Sequence, residues 1–543
     1  MASAATSSSA LDAPAPPPSV PRVVWIVVLA MAALRAIPFV FALYHTEGTE
    51  VCVPVGYNYA DFLQYSALIR QGAEQAPTLY NPFTTEPQQP RLILLYHEAL
   101  GLLHRFSGID PFWLLELSRI PLLFLFFHAL WRFLVPVFSQ TPDRTCACIL
   151  VALSGGLEPL FVPLIQRLPP DLMDVSVQQL SPLLGWSTFQ SANNPLWVAG
   201  LWLMLLVLGR ALPHQDFHPR AALTAALLLL ILLFTHPYSA IATAAIIATY
   251  SLLRLIFEGG GARPVLKHCA LVLVPALAIG AVINRWQSGD AVFAKISGGL
   301  FGSKAIPVFW YPLTYGLLLV FAFFGWRHWD AARRHWLIVL EAWIAAIMLL
   351  HTSPLLNGYH YVYPQHIAIC ILAAPAAVAF FGRCWSGGAS RKATAALAIL
   401  ALCASSLFVT MISVKDSLNA KVPAEFIQIA RHLQTEPRGN VLAPPLLGTV
   451  LPAYVPTFVY AGHWFMTPEF SRRAEEYGHL LRFFESGSRD PAVRAEIARF
   501  IAEQRFRYII VPAPLAAQAR ALIENVVDER QFTSLTLLVL ASR

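Results

Sequence analysis

The stretch "GYNYADFLQYSALIRQG", Gly56 to Gly72, sets one acid, Asp61, among aromatic residues just after the first very hydrophobic run of the chain. A carboxylate so placed either caps a short helix, worth about 1 kcal/mol, or takes a proton as a general base. Glu47, Glu50, Glu86 and Glu98 are its rivals nearby. Further on, Asp171 and Asp174 stand three residues apart in "RLPPDLMDVSVQQLSPLLGWSTFQSANNP". On a helical turn both would face one way and could hold a divalent cation through oxygen ligands; two acids alone also read as solvated charge.

Other candidates interrupt apolar runs. "FTHPYSA" places His236 and Tyr238 at a sharp turn, where a titratable group at a membrane boundary is costly unless used. "LLHTSPLLNGYHYVYPQH" gathers His351, Tyr359, His360, Tyr361, Tyr363 and His366. An aromatic belt accounts for the tyrosines; the histidines point to hydrogen bonding with a phosphate or a sugar. Arg285, Lys295 and Lys304 could supply positive charge to a phosphate or be ordinary surface charges. In "YAGHWFMTPEF", His463 follows a strand end, where ligand contacts often occur.

The elements that must position these residues follow from composition. Of 543 residues, 57% are hydrophobic and 13% charged, which a soluble domain cannot bury; the class is a polytopic α-helical membrane protein. About eleven runs are long enough to cross a bilayer: Val23 to Leu43, Phe112 to Phe138, Thr145 to Ile165, Pro195 to Leu212, Ala221 to Phe234, Ser239 to Phe257, Leu266 to Asn284, Ile306 to Trp326, Trp336 to Leu350, Tyr361 to Phe381 and Ala393 to Val414. Residues 1–21, rich in Ala, Ser and Pro, read as a disordered tail, and Val23 to Leu43 as a retained span rather than a cleaved signal. Basic residues such as Arg210, Arg254, Arg333 and Arg391 collect in alternate short loops, which places the N-terminus in the cytoplasm and Asp61 outside.

Residues 22–414 thus form the membrane domain. Its first external loop, 44–111, is patterned as two amphipathic interfacial helices, one carrying Asp61 and one running from Leu92 to Phe106. After Val414 the text alternates short strand-like segments with charged helices, so 415–543 read as a small external α/β domain with a mainly parallel sheet. It has no phosphate-binding glycine motif and no basic run with interleaved aromatics, which excludes a nucleic-acid partner. Of the seven Cys, Cys52 alone falls in an expected external loop, Cys146 and Cys148 are too closely spaced for a usual zinc pair, and the rest read as packing thiols.

The segment "YADFLQYSALIRQGAEQAPTLYNPFTTEPQQP", with weaker echoes at "THPYS" and "AGHWF", resembles the first loop of bacterial C-type (GT-C) integral-membrane glycosyltransferases related to lipid A aminoarabinose transferases and protein mannosyltransferases. The resemblance implies inverting transfer of a sugar from a polyprenyl-phosphate-linked donor to a lipid, glycan or protein acceptor at the external face of a bacterial inner membrane. It carries the family's first-loop acid over to Asp61 as base. His236, Tyr238, Arg285, Tyr359, His360, Tyr363 and His463 are then candidate substrate ligands, and Asp171 and Asp174 candidate substrate or cation ligands. The one candidate cofactor is a divalent cation on Asp171 and Asp174, and metal dependence stays open. The competing classes are a transporter or lipid flippase, which would show two similar halves, and a noncatalytic envelope scaffold.

Overall fold

The computed structural model describes residues 18–52, 59–75, 77–157, 187–212, 217–300, 311–329, 333–353, 361–419, 421–487 and 490–541. The expected tail thus lies largely outside the described residues, as do Asp171, Asp174, Lys304, Tyr359 and His360.

The membrane half begins with α1 (Arg22–Tyr44), followed by the first-loop helices α2 (Tyr59–Gln75) and α3 (Leu95–Ser107). Then come α4 (Pro111–Val137), α5 (Thr141–Leu153), the short α6 (Thr188–Ser191), α7 (Pro195–Ala211), α8 (Pro219–Thr235), α9 (Pro237–Glu258) and α10 (Arg263–Ser288). It closes with α11 (Ala291–Leu300), α12 (Tyr311–Tyr315), α13 (Leu317–Trp326), α14 (Arg334–Thr352), α15 (Tyr363–Trp385) and α16 (Ala389–Asn419). Among the described residues, seven helices are long and apolar enough to cross a membrane, and α7, α8 and α13 are shorter apolar helices. The chain is therefore a polytopic membrane protein.

Local sequence sets the starts of the helices that follow the first loop and the short α6. Asp110 caps α4 by accepting from Phe112 N at 3.0 Å, with Pro111 in the first turn. Asn194 does the same for α7, accepting from Leu196 N at 3.0 Å before Pro195. Both use a proline whose missing N–H costs nothing there. The two first-loop helices touch backbone to backbone: a Cβ on Gly101 of α3 would stand 2.6 Å from Ile69 O of α2.

The remainder of the chain adds α17 (Ala424–Gln434), α18 (Pro445–Tyr454), α19 (Phe470–Ser486), α20 (Pro491–Gln504) and α21 (Ala516–Leu522). Its strands β3 (Asn440–Leu442), β4 (Phe458–Val459), β5 (Phe506–Pro512), β6 (Val526–Gln531) and β7 (Leu535–Leu540) form one sheet of order β4-β3-β5-β7-β6. The β3 strand pairs parallel with β4 and β5, whereas β7 pairs antiparallel with both β5 and β6. The expected mainly parallel sheet is thus mixed, because the short connection between β6 and β7 permits only an antiparallel return. The β6 strand, "VVDERQ", is a polar, exposed edge without the alternation that marks a half-buried strand.

Alternation in β5 and β7 builds the two sides of the sheet. Tyr508, Ile510, Leu537 and Val539 join the core shared with α17, α18 and the membrane helices. Ile509, Val511, Leu538 and Leu540 join a second core under α19, α20 and α21. A two-stranded ladder, β1 (Glu50–Cys52) against β2 (Lys421–Pro423), ties the first loop to the entrance of the C-terminal region.

Candidate functional site

Asp61 lies in the first turn of α2. Among the described residues its carboxylate takes no backbone N–H and so does not cap the helix; its partner is the His463 ring, Nε2 to Oδ1 at 3.1 Å. His463 is buried at 1% exposure while Asp61 is 31% exposed. The His463 Nδ1 accepts from the backbone N–H groups of Phe465 at 3.2 Å and Met466 at 3.3 Å. Two donors on Nδ1 leave the ring proton on Nε2, aimed at the carboxylate. The imidazole therefore orients one carboxylate oxygen, and among the described residues Oδ2 makes no hydrogen bond.

Packing holds this histidine in place. Phe83 and Trp464 cover the ring at 5.6 and 5.9 Å between centroids. The loop segment around Phe83 is laced to the His463 segment: Asn81 Nδ2 donates to Met466 O at 2.7 Å, Thr467 Oγ1 donates to Phe83 O at 3.0 Å, and Val459 N donates to Pro82 O at 3.0 Å. Beneath them Gly448 and Gly462 leave no room for a side chain, since a Cβ on Gly448 would fall 2.0 Å from Ala461 O. Arg473, fully buried, donates to Thr84 Oγ1 and Tyr460 O, both at 3.0 Å, and pairs with Glu86.

An aromatic wall faces the carboxylate. The Asp61 charge reaches Tyr65, Tyr238 and Tyr363. Burial, then that charge, pushes the Tyr65 phenol well above its ordinary value, so it stays protonated; it accepts a hydrogen bond from Asn194 Nδ2 at 3.0 Å. Trp197 packs against His236 at 4.5 Å and Tyr363 at 4.2 Å, and Tyr238 against Tyr361 at 5.7 Å. His236 Nδ1 lies 2.7 Å from Ser239 Oγ. Gly200 makes room for that pair, because a Cβ there would come within 2.8 Å of both.

The structure thus brings Asp61, His236, Tyr238, Tyr363 and His463 into one neighbourhood. Arg285 stands apart, exposed near the C-terminal end of α10. Lys295 is engaged by Glu86 at 3.3 Å and Glu469 at 3.9 Å. His351 meets Tyr311 at 2.9 Å and His366 meets Ser154 at 3.1 Å, both inside the helix packing. Tyr65 and Trp197 carry no chemical signal in sequence, Tyr65 reading as the apolar face of an amphipathic helix, whereas Asn194 belongs to an amide-rich loop whose donors and acceptors suit a sugar. Among the described residues no group of three His, Cys, Asp or Glu could hold a metal ion.

No protein-family model and no curated protein sequence matches the chain. Its fold matches the oligosaccharyltransferase of Archaeoglobus fulgidus tethered to an acceptor peptide, with TM-score 0.51 and 12% identity over 96% of this chain and 74% of that one. The apo form of the same protein aligns at TM-score 0.51 and 12% identity over 90% of this chain and 69% of that one. The arabinofuranosyltransferase AftD from Mycobacteria, as its R1389S variant, aligns at TM-score 0.49 and 12% identity over 97% of this chain and 42% of that protein. The chain has the GT-C fold.

Proposed function

We propose that the protein is an inverting glycosyltransferase that moves a sugar from a polyprenyl-phosphate-linked donor to a lipid, glycan or protein acceptor at the external face of a bacterial inner membrane. The observation that carries this reading is the Asp61–His463 pair, in which a buried imidazole holds one carboxylate oxygen and leaves the other open. Asp61 Oδ2 takes the acceptor's O–H proton while that oxygen attacks the anomeric carbon from the face opposite the phosphate. The bond from the anomeric carbon to the phosphate oxygen breaks, and the phosphate leaves on its lipid with the electron pair. His463 is a positioning residue that fixes Asp61; His236, Tyr238 and Tyr363 line the site with polar and aromatic groups suited to a sugar.

Mass spectrometry of lipid-linked and envelope glycans tests this in cells lacking the gene, restored with it, or restored with Asp61→Asn at equal protein level. The expected result is loss of one decoration, accumulation of its polyprenyl-phosphate donor, and no rescue by Asp61→Asn. An unchanged profile in all three sinks the proposal and returns the carrier or scaffold reading.

A further inference from the structure

We propose that Arg35 and Arg119 form a seat for the phosphate of a lipid, entered from the bilayer beside the Asp61 helix. This deepens the function proposed above, on which the identity of that lipid as the sugar donor rests. Both side chains are buried, at 3% and 6% exposure, inside apolar helices. By the helical rise, Arg35 lies about 13 Å from the external end of α1, and Arg119 about 12 Å from that of α4. An arginine at that depth needs a partner or a task.

The charges around them do not balance. Arg119 pairs with Glu116 through two contacts at 2.6 and 2.9 Å, and donates to Asn193 O at 3.1 Å. Among the described residues Arg35 meets only neutral groups: Asn193 Oδ1, Thr410 Oγ1 at 2.7 Å, and the Phe189 ring at 4.1 Å from its guanidinium carbon. The two guanidiniums repel one another. Among the described residues one carboxylate therefore serves two fixed positive charges. In addition Arg35 Nε, Arg119 Nε and Asn193 Nδ2 are buried donors with no hydrogen-bond partner among the described residues. Forked guanidiniums beside an amide match a phosphate, which accepts several charge-assisted hydrogen bonds at once.

The surroundings favour a lipid over free phosphate. Just beyond Arg35 on α1, Ile37 and Val40 are exposed at 44% and 59%; next to Thr410 on α16, Met411 is exposed at 68%. An apolar chain can lie along these surfaces with its head between the helices. The seat also adjoins the candidate base. Asn193 is followed by Asn194, which bonds Tyr65, one helical turn from Asp61.

The test is binding of undecaprenyl phosphate to the full chain in nanodiscs, competed by undecaprenol or by inorganic phosphate. Tight binding that neither competitor displaces, weakened at least about 10-fold in Arg35→Gln, is expected. Arg35→Lys should fall between, and serves if Arg35→Gln does not fold, since it keeps the charge but loses the fork. Asp61→Asn should bind as wild type does while losing turnover. Displacement by inorganic phosphate at equal concentration, no binding by the wild type, or unchanged binding by folded Arg35 variants would each overturn the seat. If Arg35→Gln abolishes binding while deletion of the gene leaves the lipid-linked and envelope glycans unchanged, the seat stands and the transferase reading falls.

Discussion

Asp61 and His463 lie 402 residues apart in the chain and meet through a 3.1 Å hydrogen bond. One belongs to the first loop and the other to the C-terminal sheet region, so the candidate base is complete only when the two dock. The mixed sheet serves that docking: one face packs into the core shared with the membrane half, and the segment after β4 is thereby held against α2.

Removing the base should cost more than removing its holder. Asp61→Asn should lower turnover by about 10²–10⁴-fold, the range for a general base. His463→Ala should lower it by about 10²-fold through misplacement and leave the affinity for donor unchanged. Single-turnover kinetics on membranes of the two variants checks this; equal losses in donor affinity and rate would make His463 a substrate ligand instead.

The glycine crossing below His463 should resist any side chain. Gly448→Ala drives a methyl group to about 2.0 Å from Ala461 O, and overpacking of this kind costs about 1–3 kcal/mol or more. A lowered thermal midpoint, with activity lost in proportion, is the expected reading in detergent-solubilised protein.

Arg473→Ala should loosen the first loop from the C-terminal region. The change removes the guanidinium from Thr84, Tyr460 and Glu86, but Glu86, 23% exposed, keeps Lys295 at 3.3 Å, so the cost should sit at or below the low end for a broken buried pair, about 3 kcal/mol. Limited proteolysis should then cut between Tyr80 and Arg91 faster than in the wild type. An unchanged cutting pattern would show that the other loop contacts suffice.

Stability should fall in acid because of His97. Buried in α3, with both ring nitrogens unpartnered among the described residues, it has its pKa pulled down to about 3 by desolvation. The unfolded chain binds that proton near pH 6.5 and the folded one does not. The contribution is therefore complete above about pH 6.5 and drains away as pH falls toward 3, at up to about 1.4 kcal/mol per pH unit. Thermal melts of wild type and His97→Phe between pH 7 and pH 4 should diverge, with the variant showing the shallower dependence.

The membrane half was legible in outline because bilayer crossing demands a composition: every apolar run from Val23 to Val414 overlaps a helix, yet among the described residues seven helices, against the eleven expected, are long and apolar enough to span. The two first-loop helices were legible from their periodicity, and β3, β4, β5 and β7 from short apolar runs. Asp61 stood out because an isolated carboxylate among aromatics is unusual. Sequence could not show that His463 is its partner, that Gly448 and Gly462 must be bare, or that Arg35 meets no carboxylate among the described residues. Nor could it show that β6 joins the sheet, since a solvent-exposed edge strand has no apolar pattern to read. Hydropathy and period are properties of neighbours along the chain and fix which elements form. Pairing across hundreds of residues depends on how those elements pack, and only the tertiary structure decides it.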